Sequence, residues 1–171
     1  MKQLQKFIRY ADKITYRLNR VLHQLSIVLL AFIMFLTLVS VIARYMGSPI
    51  LGTYELTRLG LALLIFFSLG YTQLKKEHIS IDFIVERWSP KAQAIADSIT
   101  FFLFTLLMLA AAYFMAKHGL RLFVSNDITS DLRLPLYIFA YLSALGLFFY
   151  ALAYFVEFLK SLNKVVEYYV T

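Results

Sequence analysis

Four long stretches of the chain carry no Lys, Arg, Asp or Glu, and together they make up almost half of its 171 residues. A hydrocarbon core about 30 Å thick takes roughly 20 helical residues to cross. Three stretches are long enough. The second becomes long enough if Glu55 and Arg58 lie at the interface, where charged side chains extend toward water. The sequence therefore predicts an all-α integral membrane protein whose four spans lie at about 21–43, 55–74, 98–116 and 134–156.

The composition leaves little room for anything outside the membrane. The chain is 61% hydrophobic, well above the fraction that is usual in soluble domains. The three connections between the charge-free stretches have 15, 23 and 17 residues, too few for a core of their own. We therefore expect residues 1–171 to form a single membrane domain. There is no cysteine, so disulfides and thiolate metal sites are excluded.

The basic residues predict the orientation. Twelve of the seventeen Lys and Arg residues precede the first span, lie between the second and third, or follow the fourth. The positive-inside rule places these regions in the cytoplasm. Both termini are therefore expected in the cytoplasm, with the first and third loops outside.

The first 20 residues show a helical pattern of their own. Apolar or small residues recur from Leu4 to Leu18, and a basic stripe offset by two residues lies on the opposite face. This pattern is typical of an amphipathic helix in the membrane surface. We expect contacts with phospholipids, and no nucleic-acid binding, from Lys6, Arg9, Lys13, Arg17 and Arg20.

Two prolines mark expected helix starts. Ser89 precedes Pro90, a pair that suits an N-cap followed by the first helical residue. Pro135 is expected in the first turn of the fourth span, where its missing N–H does no harm.

Few residues in the spans could carry chemistry. His23 and His118 are expected in opposite leaflets, and His78 lies in the second loop, so they do not form a facing pair of haem ligands. No span carries an ionisable residue at its centre, where proton-coupled transporters and ion-coupled sites place one. We therefore expect no catalytic activity, no cofactor and no metal on this chain.

Several short motifs follow one another along the chain: Arg44-Tyr45, Tyr54-Glu55-Leu56-Thr57-Arg58, Gly70, His78-Ile79-Ser80-Ile81-Asp82 and Leu132-Arg133-Leu134-Pro135-Leu136-Tyr137. Their order and spacing resemble the small membrane subunit of tripartite ATP-independent periplasmic (TRAP) transporters, the DctQ-like family. The resemblance covers roughly residues 20–155. The family usually has Trp followed by two acids where this chain has Thr53-Tyr54-Glu55, so only Glu55 carries over as the acid.

The resemblance implies a system of three proteins in the bacterial inner membrane and periplasm. A periplasmic substrate-binding protein captures an organic acid, for example sialic acid or a C4-dicarboxylate. A large membrane subunit holds the substrate and sodium and moves by an elevator mechanism. The chain itself would be a static scaffold that helps to dock the receptor.

The candidate contact residues each have a local alternative. Glu55 and Arg58 at i, i+3 suit an ion pair at the end of the second span, and His78 and Asp82 at i, i+4 suit a hydrogen bond within the loop. The candidates for contact with the large subunit or the receptor are Arg44, Tyr54, Glu55, Arg58, His78, Asp82 and Pro135.

Two other functions are open to a four-span chain. A free-standing small transporter would have to move its substrate without an evident coupling residue. A membrane anchor for a redox complex is disfavoured by the placement of the histidines.

Overall fold

Four α-helices account for nearly all of the chain that the structure describes, a computed structural model covering residues 2–75 and 89–170. Each helix is long and apolar enough to cross a membrane. The predicted all-α, four-span class is thereby confirmed. The helices are α1 (Lys2–Tyr45), α2 (Thr53–Leu74), α3 (Pro90–Val124) and α4 (Leu136–Val170).

Helix α1 differs from its prediction in one respect. The sequence placed a boundary between an interfacial helix at 1–20 and a span from residue 21, but α1 runs without interruption from Lys2 to Tyr45. At about 1.5 Å per residue its 44 residues are about 66 Å long, roughly twice the hydrocarbon core. The first span and the amphipathic segment are therefore one element.

The two predicted proline positions have different outcomes. Pro90 begins α3, and the Ser89 hydroxyl accepts a hydrogen bond from the Ala92 N–H at 3.3 Å, so the predicted cap is confirmed. Pro135 was predicted inside the first turn of the fourth span, and this is wrong by one residue. Helix α4 begins at Leu136, and Pro135 pairs with Ile128 in an isolated antiparallel bridge.

Helix α4 is the centre of the bundle. It packs most extensively against α3 and also contacts α1 and α2, while α1 packs mainly against α2. In its most apolar stretch 44% of α4 is buried, against 11% of α3. Small residues allow this close packing because they let helix backbones approach. The small buried residues of α4 are Ala140, Ser143, Ala144, Gly146, Ala151, Ala153 and Ser161.

The closest approach of α4 to α2 is at Gly146. A Cβ at this position would lie 2.8 Å from the Phe66 carbonyl oxygen and 3.0 Å from its carbon. Both atoms belong to the backbone of α2, so they cannot rotate away. The crossing of α2 and α4 therefore requires glycine at position 146.

We predict that Gly146→Ala destabilises the purified protein by about 1–3 kcal/mol, because the added methyl group forces α2 and α4 apart. Gly119→Ala is the matched control, since a Cβ there would lie 3.4 Å from its nearest neighbours on α4, at ordinary contact distance. It should be neutral or stabilising, because alanine favours a helix over glycine by about 1 kcal/mol. Thermal unfolding in detergent measures both. Equal melting temperatures for the two variants would contradict the assignment of Gly146.

Candidate functional site

Glu55 is a buried carboxylate at the end of the bundle that the basic residues predict to lie outside the cell. It lies in the first turn of α2 and is 8% exposed. Its Oε1 accepts a hydrogen bond from the Asp131 N–H at 2.8 Å, and its Oε2 accepts one from the Leu132 N–H at 3.1 Å. The Thr129 hydroxyl and the Ser130 N–H also hydrogen-bond to it. Charge-assisted hydrogen bonds of this kind are stronger than neutral ones.

The partner of Glu55 is a compact loop at 127–136, which we call the outer hairpin. The Thr129 N–H donates to the Leu134 carbonyl at 2.9 Å, and the Leu136 N–H donates to the Asp127 carbonyl at 3.1 Å. The Thr129 hydroxyl accepts from the Leu134 N–H at 3.0 Å. These bonds close the loop on itself, and the Glu55 carboxylate accepts hydrogen bonds from N–H groups at the tip of the loop.

Gly52 brings the first loop against the same hairpin. Its φ of +75° is a left-handed conformation that favours glycine, and a Cβ there would collide with the Leu132 side chain. Gly52, Glu55 and the outer hairpin together are called the outer clasp. The clasp joins the loop before α2 to the loop before α4, so the two outer loops form one surface.

The clasp replaces the ion pair that the sequence suggested for Glu55. Arg58 is exposed, and among residues 2–75 and 89–170 it does not pair with the Glu55 carboxylate, whose partners are backbone and Thr129 groups. Glu55 therefore ties two loops together, a role that helical spacing alone does not reveal.

The other predicted contact residues lie around the clasp. Arg44 is exposed in the last turn of α1, and Tyr54 is 77% exposed beside Glu55. Pro135 belongs to the outer hairpin and is partly buried. His78 and Asp82 lie outside the described residues.

The predicted basic stripe lies on the outside of α1, where Lys6, Arg9, Lys13, Arg17 and Arg20 are all exposed. The predicted apolar stripe is only partly directed inward, since Ile8 and Thr15 are buried in the bundle whereas Leu18 is exposed. Because α1 is continuous, Arg17 and Arg20 lie within about 6 Å of Val21 along the axis, and the other bases lie further from the span.

An ion-pair cluster that was not predicted lies at the opposite end of the bundle, the end that the basic residues predict to be cytoplasmic, and we call it the inner tie. Lys160 Nζ lies 2.7 Å from Asp12 Oδ1 on α1 and 2.7 Å from Glu157 Oε1 on its own helix. Glu157 is 6% exposed. The i, i+3 spacing of Glu157 and Lys160 was visible in the sequence, but Asp12 is far away along the chain. The inner tie connects α1 to α4.

The buried role of Asn19 was also not predicted from the sequence. It is 1% exposed, and its Nδ2 donates to the Thr15 carbonyl at 2.9 Å and to the Phe149 carbonyl of α4 at 3.3 Å. A Cβ on Gly70 would collide with its Oδ1. The Gly70 motif therefore has a physical explanation: it makes room for a buried amide that links α1 to α4.

The described histidines show no arrangement that would hold a cofactor. His23 stacks on Tyr71 of α2, with ring centroids 4.3 Å apart and planes 12° apart, whereas His118 is exposed. Within residues 2–75 and 89–170, no three His, Asp or Glu side chains converge as metal ligands. The features that stand out are the ties at the two ends of the bundle.

We predict that Glu55→Gln lowers the melting temperature of the purified protein, because the amide retains one acceptor oxygen and turns an NH₂ group toward a backbone N–H. Arg58→Gln is the matched control from the same helical turn and should leave the melting temperature unchanged. Equal losses in the two variants would restore the ion-pair interpretation.

Comparison with known proteins gives one family. The sequence model of the DctQ component of tripartite ATP-independent periplasmic transporters matches residues 33–164. The comparison with curated proteins and the comparison with solved structures each gave no match. The matched region contains the outer clasp, α2, α3, the part of α1 from residue 33 onward, and both α4 residues of the inner tie. The chain therefore belongs to the DctQ component family of tripartite ATP-independent periplasmic transporters and is a small membrane subunit of such a transporter.

Proposed function

We propose that this chain is the static scaffold of a sodium-coupled organic-acid uptake system. In this proposal the large membrane subunit carries the substrate and the sodium and moves between the two sides of the membrane. A periplasmic receptor delivers the acid. The observation that carries the proposal is that the bundle of a transporter subunit is tied across its helices at both ends, by the outer clasp and by the inner tie.

The ties matter because an elevator needs a part that does not follow the moving domain. The outer clasp holds α2 to the hairpin that begins α4, and the inner tie and Asn19 hold α1 to α4. Helix α3 packs along α4, so each helix is fixed directly or indirectly to α4. A bundle constrained in this way suits a fixed role in the membrane.

The outer surface also suits the docking of a receptor. Four large apolar or aromatic side chains at this end of the bundle are each at least 77% exposed: Tyr45, Met46, Leu51 and Tyr54. Exposed charged side chains of both signs lie at the same end, among them Arg44, Asp127 and Asp131. Mixed charge steers association and gives salt-sensitive binding. Because the clasp fixes the two outer loops relative to each other, a receptor would meet one preformed surface.

The sodium coupling and the carboxylate cargo are supported by the family alone, and both would be properties of the partner. Sialic acid and C4-dicarboxylates are the substrate classes we propose to test first. The exposed base Arg20 would contact anionic headgroups of the cytoplasmic leaflet, at about 1 kcal/mol.

A disulfide within the chain tests the scaffold role. The chain has no native cysteine, and a Cβ on Gly119 would lie 3.4 Å from the Ala140 Cβ, close to the usual disulfide separation of about 3.5–4.5 Å. We predict that Gly119→Cys with Ala140→Cys forms a bond between α3 and α4, and that oxidised and reduced complexes transport at the same rate.

The measurement is sodium-driven uptake into liposomes that contain the chain and the large subunit, with receptor supplied outside. Each single cysteine variant is the control for oxidation. Uptake that stops on oxidation and returns on reduction would show that α3 and α4 move against each other. Uptake by this chain without the large subunit would favour the free-standing transporter instead.

The orientation gives another prediction. Ser125, in the loop after α3, and Lys164, near the end of α4, are both exposed. In intact spheroplasts an impermeant maleimide should label Ser125→Cys and leave Lys164→Cys unlabelled until the membrane is permeabilised. The reverse pattern would invert the proposed topology.

A further inference from the structure

The outward face of α1 carries an apolar stripe that no part of the described chain covers. Its members recur at alternating spacings of four and three residues, and each is at least 38% exposed. An average repeat of 3.5 residues keeps one line of side chains facing a neighbouring helix, as in coiled coils. We call this line the outer stripe, and it consists of Ile14, Leu18, Val21, Leu25, Val28, Phe32 and Phe35.

The outer stripe is distinct from the face of α1 that packs in the bundle. Thr15, Leu22 and Ser26 are buried against the other helices. They lie about 100° around α1 from the stripe, since each residue turns the helix by about 100°. Helix α1 therefore has one face for its own bundle and a second apolar face directed away from it.

Lipid tails could cover the stripe within the span, but the stripe continues beyond it. Ile14 lies about 10 Å and the exposed Tyr10 about 16 Å past Val21, the first residue of the charge-free run. The headgroup layer adds only about 5–8 Å on each side of the hydrocarbon core. The N-terminal end of the stripe therefore extends beyond the lipid. A molecule that covers the whole stripe must also extend out of the membrane.

The charged side chains beside the outer stripe limit which kind of molecule can cover it. Tyr10, Ile14 and Leu18 line a cleft of about 330 Å³ whose other walls are Lys13 and Arg17. The one acid among the first 20 residues, Asp12, is turned inward to Lys160. A second copy of α1 in parallel would bring like charges together, which disfavours a homodimer at this face.

We propose that the outer stripe is the docking seam for a long transmembrane helix of the large membrane subunit, one that extends into the cytoplasm and carries acidic residues opposite Lys13 and Arg17. The inference rests on the proposed function, which supplies a large membrane partner. It specifies which face of this chain contacts the large subunit and which side chains the contacting helix of that subunit carries. Helices that follow a 3.5-residue seam cross at about +20°, so the contact would extend along most of α1.

Site-specific photo-crosslinking in the intact complex tests the seam. A benzophenone amino acid is placed at position 14, at position 32, or at position 34. Phe32 and Met34 are 52% and 63% exposed at nearly the same depth, but they lie about 200° apart around α1, so position 34 is the matched control. We expect adducts with the large subunit, identified by peptide mass, from positions 14 and 32 and not from position 34.

If another molecule covers the outer stripe, the crosslinked products differ. Phospholipid adducts alone at position 14, or adducts with a second copy of this chain, would overturn the proposal. So would large-subunit adducts from position 34 but not from 32. Co-purification of the large subunit with the unmodified chain is measured before any crosslinking. If the large subunit does not co-purify, the proposed function itself fails.

Neutralising the two bases provides an independent measurement. Lys13→Gln with Arg17→Gln should weaken association with the large subunit about tenfold at low salt, the combined effect of two exposed ion pairs. Lys117→Gln with Arg121→Gln is the matched control, an exposed pair of bases at the same i, i+4 spacing on α3. Equal weakening by both pairs, or none by the first, would contradict the acidic partner.

Discussion

The carboxylate of Glu55 accepts backbone N–H groups from a loop more than 70 residues away, and much of the outer half of the molecule depends on this contact. Apolar side chains gain little when they leave lipid for a neighbouring helix, because lipid is as apolar as they are. The relative positions of membrane helices therefore depend on packing and on polar contacts. Removing Glu55 would leave donors at the tip of the outer hairpin without their acceptor, and the loop before α4 would lose its connection to α2.

The same reasoning applies at the opposite end of the bundle. Lys160 and Asp12 join α4 to α1, and Asn19 adds a hydrogen bond from α1 to the α4 backbone. Between the two ends, small residues on α4 allow the backbones to approach, most closely where Gly146 meets Phe66. The bundle thus has tight backbone packing at its centre and polar ties at its ends, and α4 takes part in all of them.

The sequence predicted the parts of this structure that depend on local pattern. Charge-free runs located the four spans because hydrocarbon excludes charge, and Ser89 with Pro90 identified the start of α3 because a cap depends on adjacent residues. The amphipathic pattern before residue 21 was real, but it could not show whether the apolar side would meet lipid or the protein's own α4. Both environments favour the same side chains, so periodicity alone does not separate them.

The site was harder to predict because its contacts join distant residues. The partner that sequence spacing offered Glu55 was Arg58, three residues away on the same helix, whereas its actual partners are backbone groups, which leave no mark in a side-chain pattern. The contact between Asp12 and Lys160 was missed for a similar reason, since the two residues are far apart along the chain. Asn19 had a detectable signal, since a lone amide beside the first span needs a partner once it is buried.

The two faces of α1 show how one helix can serve both stability and association. Its inner face holds polar residues, among them Thr15, Asn19 and Ser26, which are buried in the bundle. Its outer stripe consists of aliphatic and aromatic side chains. A partner on the stripe would be recognised by its shape, because the stripe has no polar side chain that must be hydrogen-bonded. Polar contacts fix a unique arrangement within the chain, where an error in register would leave a buried amide unsatisfied. An apolar seam bordered by bases is suited to a separate protein, because each surface can be covered by lipid before the two proteins meet. The polar face of α1 thus makes contacts within the folded chain, and its apolar face is left for contacts with another protein.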